Sequence, residues 1–322
     1  MKVHSSLETF QGNQPIVTMG TFDGVHPGHR ALLKRVRNLA IAENKESVVL
    51  TFWPHPRIVL GQDADKLRLL TSLEEKIQMI SQIGIDHLIV VPFTREISEQ
   101  SAEEFLDRIL VQRLNVGHLV IGFNHRFGKG GITLEQIFKL SRKLNFNLSQ
   151  FRHVDIDGQY PSSTRIRNLL LEGKVRQANL LLGYNYAITG RVTGGMQLGR
   201  KLSYPTANLQ LEEQAKLVPP DGVYACFVKV TGKYYGGMVN IGYRPTVNTQ
   251  MDNRSIEVHI LDFHEEIYSE EVTLQFIART RDEMRFADIE ALKAQLQQDE
   301  STIREILLET APNVFEEKIK EI

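Results

Sequence analysis

A chain of 322 residues has room for about two domains at roughly 150 residues each. Its 38 Lys+Arg against 39 Asp+Glu leave a formal net charge of −1, which excludes a whole-protein polybasic binder of nucleic acid and an acidic solvating chain. With 42% hydrophobic and 24% charged residues, and only 23 Gly and 11 Pro, the composition is that of packed globular domains, neither collagenous nor low-complexity.

The first half repeats a strand-then-helix rhythm. Apolar, β-branched runs at Pro15–Met19, Val48–Phe52, His87–Val91 and His118–Ile121, and a weaker one near Leu148–His153, predict strands. Between them Arg30–Glu43, Leu73–Ile83, Ala102–Leu114 and Leu134–Leu144 carry helical periodicity. The spacing of about thirty residues from strand to strand is that of a βαβ unit. Near-continuous apolar strands suit a parallel sheet covered on both faces. The expectation is a doubly wound, Rossmann-like α/β domain.

The pattern changes near Gly183. Leu169–Leu182 reads as helix, and then come short Val-, Tyr- and Thr-rich runs punctuated by glycine: Ala187–Val192, Gly222–Val230, Tyr234–Ile241, Ile256–Leu261 and Val272–Thr280. Such runs without intervening helices predict a small antiparallel barrel, closed by a helix over Asp288–Leu308. The expected domains are residues 1–183 and 184–322. Cys226 is the sole cysteine and can form no internal disulfide; its strand-like surroundings make it a small buried hydrophobe. The N-terminus lacks a basic segment followed by an apolar one, and no run approaches about 18 uncharged apolar residues, so a soluble cytoplasmic protein is expected.

In a doubly wound sheet, ligands bind beyond the carboxyl ends of the strands. Gly20-Thr21-Phe22-Asp23-Gly24-Val25-His26-Pro27-Gly28-His29 follows the first strand and opens a helix. His26 and His29, three apart, can project side by side. The flanking glycines let a phosphate approach backbone N–H groups at the positive end of the helix. An HxxH spacing is weak by itself; the strand-glycine-helix context turns it toward polyphosphate chemistry. No carboxylate pair accompanies the histidines as a metal site would require, and the dinucleotide fingerprint G-x-G-x-x-G is absent. Thr51–Pro56 and Gly122–Gly128 follow two other strands. Ser162–Arg167 opens a helix after Pro161, where Ser163 or Thr164 is either an N-cap or part of a hydroxyl-plus-guanidinium phosphate clamp.

Gly20–His29, Thr51–Pro56, Gly122–Gly128 and Ser162–Arg167, in this order, resemble the adenylyltransferase module of bacterial bifunctional riboflavin kinase/FAD synthetases. The resemblance implies that His26 and His29 stabilise the transferring adenylyl group of ATP. It also implies that Gly20, Phe22, Asp23, Gly24 and Asn124 belong to the nucleotide site and that Ser163, Thr164 and Arg167 hold the phosphate chain. His125 departs from the family's usual phenylalanine.

In the second half, Gly190–Arg200 is a glycine-dense loop, either a flexible hairpin or a phosphate-binding backbone nest. Thr206 and Asn208, two apart, share a face if extended and offer oxygen ligands suited to Mg²⁺. Ile256-Glu257-Val258-His259-Ile260 alternates, so Glu257 and His259 share the face opposite the isoleucines and valine. Glu257 is either a solvated strand residue or a general base. Gly190–Leu209, Gly236–Thr246, Glu257–Phe263 and Arg281–Phe286 resemble the riboflavin kinase module. The resemblance implies Mg²⁺ and ATP phosphates at Thr206 and Asn208, with Gly194, Arg200 and Asn240 also in the phosphate site. Glu257 would take the ribityl hydroxyl proton, and Arg281 and Glu283 would lie at the flavin end. Ser203 and Ser269 stand where the family commonly has glycine.

The implied activities are riboflavin to FMN and FMN to FAD, with ATP as co-substrate and Mg²⁺ as cofactor. The implied partners are riboflavin, FMN, FAD and ATP/ADP, with neither nucleic acid nor membrane among them. Two alternatives stay open: nucleotidyl transfer to another phosphate acceptor, which leaves the second domain unexplained, and a flavin- or nucleotide-binding regulatory protein without turnover.

Overall fold

Lys2–His4, Ile16–Met19, Ser47–Trp53, His87–Pro92, His118–Ile121 and Asn147–Gln150 form strands β1 to β6, one parallel sheet in the order β1-β4-β3-β2-β5-β6. These come from a computed structural model, which describes residues 1–61, 67–123, 131–152, 158, 160–194, 203–243 and 254–311. The chain divides into two compact units, Met1–Ser163 and Thr164–Ile322.

Successive residues of the central strands enter two cores on opposite faces of the sheet. Val17, Leu50, Ile89 and Leu119 pack with Leu106 and Leu110, while Ile16, Val49, Leu88 and Val120 pack with Leu33, Val36 and Ile80. This is why these strands read as continuous apolar runs. The covering helices are α1 (Pro27–Glu43), α2 (Pro56–Val59), α3 (Leu73–Ser81), α4 (Arg95–Glu99), α5 (Ala102–Phe105, continued as a π-helix over Leu106–Arg113) and α6 (Leu134–Lys143). Ser72 with Glu75, Ser101 with Glu104 and Thr133 with Gln136 form capping boxes that fix where α3, α5 and α6 begin. Every strand expected in this half is present. β1 is an addition: three residues paired Lys2↔His87 to His4↔Ile89, too short to show a period. The strand order reverses between β2 and β5, so the loops after Met19 and Ile121 leave the sheet side by side at a topological switch point.

The second unit holds helices α7 (Ser163–Leu171, whose first residue closes the first unit) and α8 (Val175–Leu182). Strands β7 (Ala187–Thr193), β8 (Ala207–Leu211), β9 (Gly222–Val230), β10 (Lys233–Tyr243), β11 (Arg254–Ile260) and β12 (Glu271–Arg281) follow, then α9 (Ile289–Thr310). The strands close into an antiparallel barrel, β10-β11-β8-β7-β12-β9. Thr231 and Gly232, both at positive φ (48° and 80°), make the two-residue β9–β10 turn whose twist suits a hairpin. The single helix expected over Leu169–Leu182 is broken instead at Gly173 (φ 72°), where a Cβ would meet Arg279 Cδ at 2.8 Å. α9 starts on an Asp288 cap and buries Ile303 and Leu307 against Tyr204, Val223 and Phe227. Cys226 is fully buried on β9, and burial pushes its thiol pKa up. Among the described residues no helix is long and apolar enough to cross a membrane.

Two candidate active sites

In the first unit the loop after β2 carries the histidines. His26 is the N-cap of α1, and its Nδ1 accepts from the His29 backbone N–H at 3.4 Å. An accepting Nδ1 on a neutral ring leaves the proton on Nε2 as a donor. The two rings stack at 3.7 Å with 19° between planes, and Phe22 meets His29 edge-on at 5.3 Å. Burial pushes His26 down to about 4, partly opposed by Asp23. His29 is held well below the usual range by burial, then by the His26 and Lys76 charges. Both rings are therefore neutral at neutral pH, a state in which an imidazole N–H can donate a hydrogen bond. At Gly28 a Cβ would lie 3.2 Å from the His26 ring, a tight contact that the stacked pair would have to give way to.

The loop's shape is imposed from outside. Phe22 and Val25 sit at φ 48° and 33°, a region that side chains, β-branched ones above all, disfavour. Asp23, 2% exposed, accepts from Leu70 N (2.9 Å), Thr71 N (3.1 Å) and Thr71 Oγ1 (3.3 Å). Gly24 N in turn donates to Thr71 Oγ1 at 3.1 Å. Ser163 does not cap α7 with its hydroxyl; Oγ donates to the Asp23 carbonyl at 2.8 Å. The Asp23 carboxylate is thus turned to the Leu70–Thr71 backbone and holds the loop that carries the histidines. Lys76, on α3, is buried with Nζ 5.1 Å from the Trp53 ring centroid; burial lowers it to about 8, opposed by Asp23.

A cavity of about 920 Å³ opens beside this loop. Gly20, His26, His29 and Ser163 give it a polar part, and Phe52, Leu60, Phe93, Ile97 and Phe105 an aromatic and aliphatic one. That combination has the chemistry to receive a polar chain and a flat apolar ring system.

The barrel site is made by sheet register. Asn240 on β10 pairs Glu257 on β11, Glu257 pairs Asn208 on β8, and Asn208 pairs Thr193 on β7. Directly paired residues present side chains on the same face, so the structure brings Asn240, Glu257 and Asn208 together in one row with Thr193. Opposite them Val239 and Val258 face inward, fully buried. Thr206 Oγ1 donates to Glu257 Oε2 and Ser255 Oγ to Oε1, both at 3.4 Å. The row supplies hydroxyl, amide and carboxylate oxygens, the donor set of a hard divalent cation. A second cavity of about 390 Å³, lined by Thr193, Thr206, Ile260, Phe263 and Tyr268 among others, adjoins Thr206.

The other expected positions are placed as follows. Gly194 has open space where a Cβ would stand. Arg281 gives its guanidinium to Asp299 of α9 (Nη2–Oδ2 2.7 Å, Nε–Oδ1 3.0 Å) and lies over Phe286. Glu283 packs its carboxylate over Gly242, where any Cβ would overlap it. Thr164 and the buried Arg167 follow Ser163 on α7. Ser203 and Ser269 sit at φ 64° and 65°, so both glycine replacements fall where glycine is preferred. Asn124, His125 and Arg200 lie outside the described residues.

Three residues were not singled out from sequence. Lys76 occupies an apolar-face position with Leu73, Ile77 and Ile80, spaced i, i+3, i+4 and i+7, and a charge at such a place is the signal. His259 shares the face of Glu257. Tyr204 precedes Pro205, and nothing in its neighbours announces a partner on α9.

A doubly wound domain with a stacked histidine pair at its switch point, followed by a barrel with a Thr/Asn/Glu row, has the make-up of a two-module enzyme that transfers phosphorus-containing groups. The FAD synthetase family model matches residues 10–165, and the riboflavin kinase family model residues 182–307. The chain is 39% identical to the bifunctional riboflavin kinase/FMN adenylyltransferase of Listeria monocytogenes, over 90% of this chain and 91% of that one. It is 36% identical to the Escherichia coli (strain K12) protein of the same name, over 92% and 94%. A crystal structure from Streptococcus pneumoniae, described as a macrolide-efflux protein, superposes with a TM-score of 0.84 at 29% identity, over 94% of this chain and 98% of that one. The chain belongs to the bifunctional riboflavin kinase/FMN adenylyltransferase family. It is an enzyme with an FAD synthetase domain followed by a riboflavin kinase domain.

Proposed function

We propose that each activity belongs to one site: riboflavin is phosphorylated on the barrel row, and FMN is adenylylated beside the stacked histidines. On the barrel, the Glu257 carboxylate takes the proton of the terminal ribityl hydroxyl as that oxygen attacks the γ-phosphorus of ATP, and ADP leaves. Thr206 and Asn208 are the residues that would hold Mg²⁺, which when bound neutralises phosphate charge. Gly194, Arg200 and Asn240 complete the phosphate site, and Arg281 and Glu283 the flavin end. Thr206, at the edge of the smaller cavity, supports placing the nucleotide there.

In the first unit a phosphate oxygen of FMN attacks the α-phosphorus of ATP and pyrophosphate leaves. No protein nucleophile is needed; orientation and charge stabilisation suffice. His26 and His29 donate to the transferring group. Gly20, Phe22, Gly24 and Asn124 shape the nucleotide site, with Asp23 acting on it through the loop. The triphosphate is assigned to Ser163, Thr164 and Arg167, and the aromatic part of the larger cavity to the flavin ring. By activity, residues 1–183 make the adenylyltransferase and 184–322 the kinase. A lone buried thiol suits a reducing compartment, and we place the enzyme in the cytoplasm.

What carries this reading is that each family match coincides with a constellation of its own. The test is chromatographic resolution of riboflavin, FMN and FAD in reactions started from riboflavin or from FMN with ATP and Mg²⁺. His29→Ala is expected to lower FAD formation about 100-fold or more while FMN formation continues. Glu257→Gln is expected to lower FMN formation about 100-fold or more while supplied FMN is still converted. Loss of FMN formation from riboflavin in His29→Ala, or loss of FAD formation from supplied FMN in Glu257→Gln, sinks the division of labour.

A further inference from the structure

The segment that brings Thr206 to the barrel row is held by a brace that the proposed chemical groups do not account for. His259 alternates with Glu257 on the outer face of β11, and its Nδ1 lies 2.8 Å from the Pro205 carbonyl. A carbonyl only accepts, so Nδ1 carries the proton. The strand that presents the Glu257 carboxylate therefore also grips the backbone one residue before Thr206, whose hydroxyl reaches that carboxylate. The grip has an outer anchor. Tyr204 is buried, its ring edge-on to His259 at 5.0 Å between centroids, and its hydroxyl donates to Glu300 Oε2 on α9 at 3.0 Å. Arg304 Nε donates to Glu300 Oε1 at 2.9 Å, and the same guanidinium meets both oxygens of Asp262 at 2.9 and 2.7 Å. Burial and Glu300 raise the Tyr204 phenol to about 12, so it stays a donor in ordinary buffers.

The brace has something to resist. Ser203, immediately before Tyr204, sits at φ 64°, which a side-chain-bearing residue disfavours. The Tyr204–Thr206 path is therefore not one the backbone holds by its own preference.

We propose that His259 and Tyr204 are positioning residues of the kinase site: His259 fixes Thr206 against Glu257 through the Pro205 carbonyl, and Tyr204 ties that grip to the terminal helix. The proposal rests on Glu257 being the base. It makes the last helix part of the kinase machinery through Glu300 and Arg304.

The test uses full-length protein, with riboflavin phosphorylation as readout and conversion of supplied FMN in the same preparation as the control for folding. Misplacing a reacting group by about 1 Å can cost about 100-fold, so His259→Leu is expected to lower kcat for riboflavin by about tenfold or more, with KM changed less than about threefold. His259→Asn, whose amide N–H lies near the Nδ1 position, is expected to restore kcat to within about threefold of the parent. Tyr204→Phe keeps the ring and loses the anchor, and kcat is expected to fall about threefold. FMN adenylylation stays within about twofold in all three, because the residues belong to the other module. A parent-like kcat in His259→Leu overturns the proposal, as does equal impairment of the Leu and Asn variants, which would make the ring a space-filler. If His259→Leu does not fold, a parent-like Asn variant with a slowed Tyr204→Phe supports the brace, and any other pairing overturns it. Glu257→Gln run in parallel separates the two readings: its turnover fails the base assignment, whereas an inactive Glu257→Gln beside an active His259→Leu fails the brace alone.

Discussion

In the parallel-sheet unit the histidines stand where the loop beyond a strand turns into a helix, His26 as the cap of α1 and His29 in its first turn, whereas in the barrel Glu257, Asn208 and Asn240 are residues of the strands themselves. The loop has no ladder to define it. It holds two non-glycine residues at positive φ and depends on a buried carboxylate from its own middle, clasped by the Leu70–Thr71 backbone. The barrel row needs no such clasp. Its side chains are adjacent because four strands pair in one register, and a slip by one residue would turn the whole row inward. What the register does not fix is the segment entering β8, with Ser203 at positive φ, which is where the proposed His259 and Tyr204 brace acts. A strand-end site is therefore sensitive to its anchors, and a strand-face site to its register and its edges.

The largest expected effect breaks this contrast at its anchor. Asp23→Ala leaves the buried Leu70 and Thr71 N–H groups unpaired, at about 1–3 kcal/mol for each such group. The first unit is expected to lose about 3 kcal/mol in denaturant unfolding, followed by fluorescence of Trp53, the sole tryptophan, which lies in that unit. FAD formation is expected to fall about 100-fold while FMN formation persists. The matching removal in the barrel, Ser255→Ala, takes away one long 3.4 Å contact to Glu257 and is expected to cost under about 0.5 kcal/mol. Comparable losses from the two changes would end the distinction.

The next effect sharpens it through pH. His26 is pushed down to about 4, and His29 also lies well below 6.5. Between pH 6.5 and 4 the unfolded chain binds protons that the folded loop refuses, so stability is full above 6.5 and is lost as pH falls toward 4. For His26 alone the shift amounts to about 3 kcal/mol. His4 and His118, lowered mainly by burial, add to the same slope. Trp53 fluorescence should report a midpoint falling with acid over this window, and His26→Gln should flatten part of it. A midpoint independent of pH from 6.5 to 4 would falsify the neutral-pair description.

Much of this architecture is legible in the sequence because periodicity reports burial. The strand-helix alternation gave the doubly wound sheet, and the short glycine-punctuated runs gave the barrel. Glu257 was recognisable as a residue of the outer face because Ile256, Val258 and Ile260 alternate with it. What escaped lies in pairings distant in sequence. β1 and β8 are short and owe their existence to neighbours 85 positions away for Lys2↔His87 and 49 for Asn208↔Glu257. Asp23 reads as a phosphate-loop residue until Thr71 is found beside it. The ion pair of Arg281 is with Asp299, on a helix that sequence alone places only approximately. Gly173, inside a helical pattern, is the one local signal that was available for the break between α7 and α8.

The smallest expected effect concerns the barrel's edges. Ser203 and Ser269 stand at φ 64° and 65°, where a side chain costs about 1–2 kcal/mol over glycine. Glycine in turn gives back about 0.5–1 kcal/mol as conformational entropy in the unfolded chain. Each replacement by glycine is therefore expected to gain about 0.5 kcal/mol, and the pair about 1 kcal/mol, read by calorimetry as a Tm higher by about 2–4 °C. The two sites need not answer alike. Ser269 is exposed, and its backbone is already tied, N–H to the Val192 carbonyl at 3.0 Å and carbonyl to Arg191 Nη1 at 3.3 Å, so relieving it should change stability alone. Ser203 adjoins the braced segment, so Ser203→Gly should also make kcat less dependent on Tyr204. In a double-mutant cycle, Tyr204→Phe should cost less in the Ser203→Gly background than in the parent. Additive effects of the two changes on kcat would mean that the positive φ at Ser203 places no load on the kinase site, and that the barrel row is as self-sufficient at its edge as it is at its centre.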